Sequence, residues 1–469
     1  MRADVVVVGG GPAGMSAAVA AAESGAHVIV LDEYAKPGGQ FFKRTGDGFS
    51  VAPESLTREH ARGEELRGKL NHPNITMLTR ALVWGRFDDR VMVAHKGCSK
   101  SVYGKALVIA TGAYDRPVAF PGWTLPGVLT AGGAQTLAKS QWVKPGRRML
   151  LAGAGPFLLP VALSLLRADV SIAALVEATR PNEWLPHLGS LWGQWPRFSE
   201  AWEYKANLRR AGVPTLYGHK IVRALGEEKV EGAVIAKVDN EWRAIPGSER
   251  TIEVDAIAMG YGFLANIELA ASSGCELRFD ERARTWFVMC TPTMATNKPG
   301  IFVAGEITGI GGSALALEEG RIAGLSAAEF AGMLTTRAAD EQRRQPIWQR
   351  AHLDRFAKAL NVLFGPRPGL WEFLTDDMTV CRCEEVKAKE IAACIANGAT
   401  TTKSIKDWTR AGMGLCEGRI CRGMVGEILA RDRDVALGSI PFPSVRPPIK
   451  PVPFSTLLQD DSQSESIAS

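Results

Sequence analysis

The sequence is poor in histidine, in net charge and in uninterrupted hydrophobic runs. Its seven histidines lie singly, with no Ser-His-Asp or metal-hydrolase spacing among them, and a lone histidine is more often structural than catalytic. A formal net charge of +5 over 469 residues is small and gives no case for nucleic acid or a membrane surface as a partner. These scarcities argue against the commonest hydrolytic and nucleic-acid-binding classes.

Membrane-spanning and secretory segments are also missing from the sequence pattern. The charge-free stretch 149–166 is interrupted by two glycines and two prolines, a pattern typical of a strand, a turn and a helix start inside a domain. The apolar run 5–8 near the amino end is too short for a signal core. We therefore expect a cytoplasmic protein without a transmembrane segment, whose route to a membrane is through its partners.

The eight cysteines do not form a disulfide framework, because four of them are scattered and no C-x-x-C pair adjoins a nucleotide motif. The other four form a C-x-C pair, Cys381 and Cys383, and a C-x4-C pair, Cys416 and Cys421. Two close thiol pairs can converge on one iron or zinc centre. Zinc remains open as an alternative, although C-x-C is tight for structural zinc sites. Spacing and context favour an iron–sulfur cluster.

The two segments that carry these cysteines resemble a known type of domain. Segments 379–386 (TVCRCEEV) and 410–421 (RAGMGLCEGRIC) resemble the bacterioferritin-associated-ferredoxin type of [2Fe-2S] domain, which is also appended to flavoprotein dehydrogenases. The resemblance implies that Cys381, Cys383, Cys416 and Cys421 ligate the cluster. The glycines of this region fit a fold that brings backbone N–H groups close to the sulfurs.

A dinucleotide-binding unit opens the chain. A four-valine strand leads into Gly9-x-Gly11-x-x-Gly14, an alanine-rich helix and a second strand that ends at Asp32, which predicts β-α-β order. The second glycine lets the backbone approach a pyrophosphate at the helix amino end, and the acid is spaced to accept ribose hydroxyls. The predicted cofactor-binding residues of this unit are Gly9, Gly11, Pro12, Ala13, Gly14, Asp32 and Glu33.

Three further pieces favour FAD over NAD as the ligand of this unit. They are Pro37-Gly-Gly-Gln40, the strand 107–112 ending in Ala-Thr-Gly, and the strand 300–306 ending in Gly-Glu. Taken singly, buried strands ending in glycine are common in α/β proteins, but together they resemble the FAD-binding elements of the two-dinucleotide-domain flavoprotein reductase superfamily. The resemblance implies FAD contacts by Gly39, Gln40, Thr111, Gly112, Gly305 and Glu306. Glu306, which would hold the ribityl chain, stands where aspartate is commoner.

A second unit repeats the first, with strand 149–152, Gly153-x-Gly155, a helix, strand 171–176 and Glu177. Its third glycine position holds Leu158, and Phe157 adds bulk beside the phosphate turn. Two interpretations stay open: a working NAD(P) site, or a retained fold whose pocket is closed or adapted.

Segments 120–128 (FPGWTLPGV) and 131–135 (AGGAQ), joined to the second unit and the cysteines, resemble the larger nucleotide-binding subunit of heteromeric amino-acid dehydrogenases of the opine oxidase, hydroxyproline dehydrogenase and hydrogen cyanide synthase type. The expected fold is α/β, with two Rossmann-like domains as in disulfide-reductase-like flavoproteins and a small helical [2Fe-2S] domain. The expected divisions are an FAD domain at 1–118 and 259–335, an inserted NAD(P)-type domain at 119–258, a helical linker at 336–375, the [2Fe-2S] domain at 376–430 and a Pro-rich, partly disordered tail at 431–469.

The resemblance implies an electron-transfer subunit that carries FAD and a [2Fe-2S] cluster, without a substrate-oxidising residue of its own. Its expected partners are a second flavoprotein subunit that oxidises the substrate, a small third subunit, and an acceptor such as a quinone or an electron carrier. Two alternatives are a stand-alone NAD(P)H-dependent reductase and a non-catalytic redox-sensing or assembly subunit.

Overall fold

Two largely parallel sheets, each flanked by helices, form the frame of the computed structural model, which describes residues 1–46, 58–187, 189 and 195–459. The strands are β1 Arg2–Val8, β2 Val28–Leu31, β3 Ile75–Leu78, β4 Leu82–Phe87, β5 Arg90–His95, β6 Cys98–Ile109, β7 Ala113–Asp115, β8 Val128–Thr130, β9 Arg148–Gly153, β10 Ser171–Glu177, β11 Thr215–Tyr217, β12 His219–Leu225, β13 Gly232–Lys237, β14 Arg250–Glu253, β15 Ala256–Gly260, β16 Phe263–Ala265, β17 Leu277–Asp280, β18 Thr285–Val288, β19 Ile301–Val303, β20 Thr379–Cys381 and β21 Val386–Lys387. The α-helices are α1 Pro12–Glu23, α2 Arg58–Lys69, α3 Ala131–Ser140, α4 Leu158–Arg167, α5 Trp195–Arg210, α6 Glu268–Ser272, α7 Ser313–Phe330, α8 Thr336–Phe364, α9 Ala388–Ala396, α10 Thr402–Thr409, α11 Arg422–Arg433 and α12 Phe454–Leu458. Short 3₁₀ helices lie at Pro181–His187, Pro368–Trp371 and Leu437–Ser439.

The first sheet has the order β3-β2-β1-β6-β5-β4, and β19 adds to it by pairing with β6. Strand β1 is parallel to β2 and β6, with Val5 opposite Val28 and Ala106. Its valines are buried on both faces: Val5 and Val7 pack with helices α1 and α7, and Val6 and Val8 pack with side chains of β4, β5 and β18. Helix α1 packs on α7 at backbone distance: a Cβ added at Gly320 would lie 2.1 Å from the Ala13 carbonyl oxygen. Small residues on both helices therefore set this close crossing.

The second sheet has the order β11-β10-β9-β15-β8, and its pairings are parallel. Strand β15, Ala256–Gly260, pairs with β9 and β8 in this sheet. The expected return to the first domain at residue 259 falls inside that strand, so the inserted domain ends after Gly260. The disagreement arises because a buried apolar strand can complete either sheet, and only the pairing decides between them.

The segment after the first domain is helical, as expected for the linker. Helix α8 runs from Thr336 to Phe364 with Pro346 inside it and ends before Gly365. The chain then passes through the 3₁₀ turn Pro368–Trp371 into the cysteine-bearing domain. Helix α11 of that domain continues to Arg433, past the expected limit at 430.

The Pro-rich tail packs against the first sheet. Ile449 is 4% exposed, and its N–H donates to the Trp84 carbonyl at 2.8 Å. A few apolar side chains spaced between the prolines are enough to anchor this segment. The disordered part of the tail is expected at its polar end, and residues 460–469 there lie outside the described residues.

Candidate functional site

A cleft of about 1710 Å³ lies between the two sheets, at the carboxyl ends of their strands, where α/β folds bind ligands. Most of the residues predicted for FAD line it: Gly9, Pro12, Asp32, Glu33, Gly39, Gln40, Thr111, Gly112 and Glu306. The other four, Gly11, Ala13, Gly14 and Gly305, shape the turns behind this lining. The structure thus brings together predicted residues from four separate segments of the sequence.

The first glycine turn is a cradle that side chains would fill. A Cβ at Gly9, whose φ is +104°, would lie 2.3 Å from the Ala110 carbonyl oxygen. One at Gly14 would lie 1.7 Å from the Gly9 carbonyl oxygen. Across the turn, a Cβ at Gly39 would lie 2.8 Å from the Gly11 Cα. Helix α1 begins here without a side-chain cap, so its first N–H groups are available to a pyrophosphate, and the turn fits FAD.

Asp32 holds this turn together. Its Oδ2 accepts from the Gly10 N–H at 2.6 Å and its Oδ1 from the Tyr34 N–H at 2.7 Å. Burial raises the pKa of Asp32, and these two hydrogen bonds oppose that shift. Glu33, the next residue, is half-exposed in the cleft and forms an ion pair with Lys450 of the tail. Asp32, the acid predicted for the ribose, thus already accepts one backbone N–H on each oxygen.

The late acid Glu306 also lines the cleft, next to Gly305, where a Cβ would lie 2.9 Å from the Ala13 Cβ of the first glycine turn. Its Oε1 accepts from the Gly312 N–H at 2.8 Å, and burial raises its pKa to about 7. The predicted Gln40 and Thr111 form protein contacts in the same cleft. Gln40 Nε2 donates to the Tyr34 hydroxyl at 3.0 Å, and the Thr111 hydroxyl donates to the Asn266 carbonyl at 2.5 Å.

Glu319 is a site residue that sequence reasoning missed. It is almost fully buried, and its Oε2 accepts from the Gly305 N–H at 2.9 Å and from the Thr308 hydroxyl at 2.8 Å. Its Oε1 accepts from Arg350 Nε at 2.9 Å. The carboxylate thereby fixes the loop that carries Glu306. No signal in the sequence separates Glu319 from Glu318, Arg321 and Glu329 of the same helix.

The four predicted thiols meet as two pairs. Cys383 Sγ and Cys416 Sγ are 3.8 Å apart. The Cys421 thiol forms a hydrogen bond with Cys381 that lowers the pKa of Cys381 to about 5 and raises the pKa of Cys421. Among the described residues, no three potential metal ligands surround a single point. Two thiol pairs fit the two irons of a [2Fe-2S] cluster better than one zinc ion.

Glycine again permits the close approach in the cysteine loop. A Cβ at Gly414 would lie 2.1 Å from the Cβ of Cys383, and one at Gly412 would lie 3.8 Å from the Cys421 sulfur. The Cys381 thiol also receives backbone hydrogen bonds from Gly412, Glu384 and Cys383 that lower its pKa. The donor set suits thiolates, which are the form that ligates iron.

The cysteine loop belongs to the same cleft as the glycine turn. Leu415, Cys416 and Arg419 line the cleft, and Arg422 Nη2 donates to Glu268 Oε1 of the first domain at 2.8 Å. A second cavity of about 220 Å³ lies between Tyr114 and Arg382, the residue between the first two cysteines. Tyr114 lines both spaces, so one side chain borders the cleft and the surroundings of the cysteines.

The second glycine turn is crowded by side chains, although Gly155, Pro156 and Phe157 also line the cleft. The Gly155 N–H donates to Glu177 Oε2 at 2.9 Å, and Phe364 of helix α8 packs over Gly155, 3.4 Å from where a Cβ would lie. Phe364 meets Trp184 edge-on at 5.2 Å between ring centroids. Leu158 is buried and begins helix α4. An N–H group that a phosphate would need at this turn is therefore already engaged within the protein.

The fold and the cleft define an FAD-dependent oxidoreductase with an added iron–sulfur domain. The chain belongs to the pyridine nucleotide-disulphide oxidoreductase family, whose model matches residues 3–339. Residues 379–431, which include all four cysteines, match the BFD-like [2Fe-2S] binding domain. Among the described residues, none of the helices is both long and apolar enough to span a bilayer.

Individual proteins that are similar to this chain indicate a more specific group within this class. The chain is 30% identical to an opine oxidase subunit of Agrobacterium tumefaciens (strain Ach5), over 97% of this chain and 91% of that protein. It is 32% identical to the hydrogen cyanide synthase subunit HcnB of Pseudomonas aeruginosa, over 96% and 97%. The solved L-proline dehydrogenase from P. horikoshii shares the fold, with a TM-score of 0.70 at 24% identity over 97% of this chain and 79% of that one. The expected family, fold class and cofactors are confirmed.

Proposed function

We propose that this FAD- and [2Fe-2S]-containing subunit carries electrons within a heteromeric dehydrogenase that oxidises a small amine or amino-acid derivative of the opine, hydroxyproline or glycine type. A partner flavoprotein subunit, with a small third subunit, removes two electrons and two protons from the substrate. The electrons leave through this chain to an acceptor such as a quinone or an electron carrier. The relatives, which are named as oxidase and synthase subunits, support the substrate class and the division of labour.

One observation carries the proposal: the loop of Cys416 and the first glycine turn line one cleft. FAD, when bound, supplies the change between two-electron and one-electron transfer, and the cluster handles single electrons. The chain's own residues position both groups. The Gly9 to Gly14 turn receives the pyrophosphate, Glu306 faces the ribityl chain, and Cys381, Cys383, Cys416 and Cys421 supply four thiolates.

A stand-alone NAD(P)H reductase is the competing function, and the engagement of the Gly155 N–H by Glu177 argues against it. Mixing the purified flavin-loaded chain with NADH under anaerobic conditions separates the two. We expect the flavin absorbance to persist with NADH and to bleach only when the partner subunits and an amine substrate are added. Rapid bleaching by NADH alone, or full amine oxidation by the isolated chain, would contradict the proposal.

A redox-sensing or assembly role is tested with Cys416→Ser in the assembled complex. The variant removes one cluster ligand, so we expect loss of the iron–sulfur absorbance and a fall in electron delivery to the acceptor of about a hundredfold. Cys394→Ser is the matched control, since Cys394 is a buried thiol of the same domain outside the two pairs. Normal turnover by a cluster-free Cys416→Ser complex would favour the sensing role instead.

A further inference from the structure

The tail of the chain forms part of the cofactor cleft. We call residues 441–451 the strap. Pro447 packs on Gly85 of strand β4, where a Cβ would lie 2.8 Å from the proline ring. Phe442 stacks under the Arg422 guanidinium at 4.7 Å. The strap ends at Ile449, Lys450 and Pro451, and these three residues line the cleft beside the glycine turn.

The strap is held at two points on either side of the cleft. On the sheet side, the Ile449 N–H donates to the Trp84 carbonyl at 2.8 Å. On the cluster side, Arg419 Nη2 donates to the Ile449 carbonyl at 2.7 Å. Arg419 lies between Cys416 and Cys421 in the sequence. With both backbone groups of Ile449 engaged and its side chain buried, the position of the next residue, Lys450, is fixed.

Lys450 meets Glu33, the second of the two acids that follow strand β2. In this fold class an acid at the end of that strand accepts the ribose hydroxyls of the nucleotide. Each carboxylate oxygen of Asp32 already uses one of its two acceptor positions, for the N–H groups of Gly10 and Tyr34. Glu33 is the neighbouring acid with no backbone N–H of the described residues to hold, so it can turn toward a ribose, and an ammonium group in contact with it restricts its orientation.

We propose that Lys450 is a positioning residue for FAD: it holds the Glu33 carboxylate at the adenosine end of the cleft so that Glu33 accepts the ribose hydroxyls. The strap thus belongs to the FAD site, although it is separated from the glycine turn by more than four hundred residues in sequence. Lys450 acts through Glu33 and does not itself contact the reacting part of the flavin.

A double-mutant cycle on FAD binding tests this role. The full-length chain is freed of FAD and titrated with it, and the dissociation constant is followed by flavin fluorescence. Loss of a hydrogen bond to a charged group corresponds to about a tenfold change, so we expect Lys450→Gln and Glu33→Gln each to weaken FAD binding about tenfold. The double variant should bind FAD no more weakly than the more impaired of the two single variants, because the two residues act as one unit.

Conservative and distant variants separate positioning from general structure. Lys450→Arg keeps a cation beside Glu33 and should recover most of the affinity. Lys105→Gln breaks a Lys–Asp pair with Asp4 of the same domain and should bind FAD normally. Wild-type affinity in Lys450→Gln, or single effects that multiply in the double variant, would overturn the proposal. So would a fall in the unfolding midpoint of the FAD-free Lys450→Gln chain that parallels the lost affinity.

Discussion

The two β-α-β units of this chain share a topology, and both glycine turns line the cleft, but they differ in which backbone N–H group is engaged. In the first, Asp32 takes the Gly10 N–H, and no described residue accepts from Gly11, whose turn opens on the cleft. In the second, Glu177 takes the N–H of Gly155, the residue that corresponds to Gly11. The carboxylate of the second unit therefore accepts from the N–H one residue further along the turn. That N–H is one that a phosphate would need, and it is already engaged. The topology alone therefore does not make a nucleotide site.

The segments that cover the two turns also differ, and the difference again favours a charged ligand at the first turn. The strap brings a charged pair, Lys450 and Glu33, to the edge of the first turn. Helix α8 brings Phe364 to the second, where it meets Trp184. Charged side chains are compatible with a turn that binds a charged ligand, whereas aromatic side chains are typical of a turn that packs in the protein core.

Gly14→Ala should have the largest effect on this comparison. Alanine normally stabilises a helix relative to glycine, but here its Cβ would lie 1.7 Å from the Gly9 carbonyl oxygen. We expect a loss of at least about 3 kcal/mol in the free energy of unfolding and a chain purified without FAD. Unfolding by urea and the flavin content of the purified protein measure both.

Gly68→Ala is the matched control for that substitution. Gly68 lies in helix α2 and has nothing within 4 Å of a Cβ, so the same change should stabilise the chain by about 0.5–1 kcal/mol. Leu158 occupies the position of Gly14 in the second unit. If Gly14→Ala retained FAD at the wild-type level, a side chain at this position would not explain the difference between the two units.

Phe364→Ala tests whether the aromatic cover alone closes the second turn. Truncating this half-buried ring should lower the free energy of unfolding by about 2 kcal/mol. NADH should still fail to bleach the flavin, because Glu177 keeps the Gly155 N–H and Leu158 keeps the turn. Thermal unfolding and an anaerobic NADH titration are the measurements. Phe454→Ala, at a ring that is 83% exposed, should change neither. A gain of NADH reactivity would show that the second turn is a covered nucleotide site.

Much of the fold and of the cleft could be predicted because the signals were local. The glycine spacings, the valine strands and the paired cysteines each lie within a few residues of one another, and local spacing determines local geometry. The same local signals identified Leu158 as the position where the second unit departs from the first. The structure adds the reason: helix α4 starts at Leu158 itself, whereas α1 starts at Pro12, two residues before Gly14.

The features that could not be predicted depend on contacts between distant segments. Glu319 meets Gly305 and Arg350 only after α7 and α8 have packed. Strand β15 could have completed either sheet until its neighbours were known. The strap is Pro-rich and carries no motif, and nothing near Lys450 in the sequence indicates Glu33 as its partner. Composition reflects average tendencies, whereas a few specific contacts decide whether a segment docks.

The smallest change per step of the measurement is expected in the pH dependence of stability, which depends on the two acids Glu177 and Asp32. Burial raises the pKa of Glu177 to about 7, from 4.5. Between those two values the folded chain keeps a proton that the unfolded chain has released, so stability falls as the pH rises toward 7 and the loss is complete above it. Glu177→Gln lacks this proton and should show a flatter slope, by at most about 1.4 kcal/mol per pH unit. Asp32→Asn should change the slope with the same sign, because burial also raises the pKa of Asp32. Urea unfolding at a series of pH values measures the slopes. An unchanged slope in Glu177→Gln would mean that Glu177 is ionised in the folded chain across this pH range.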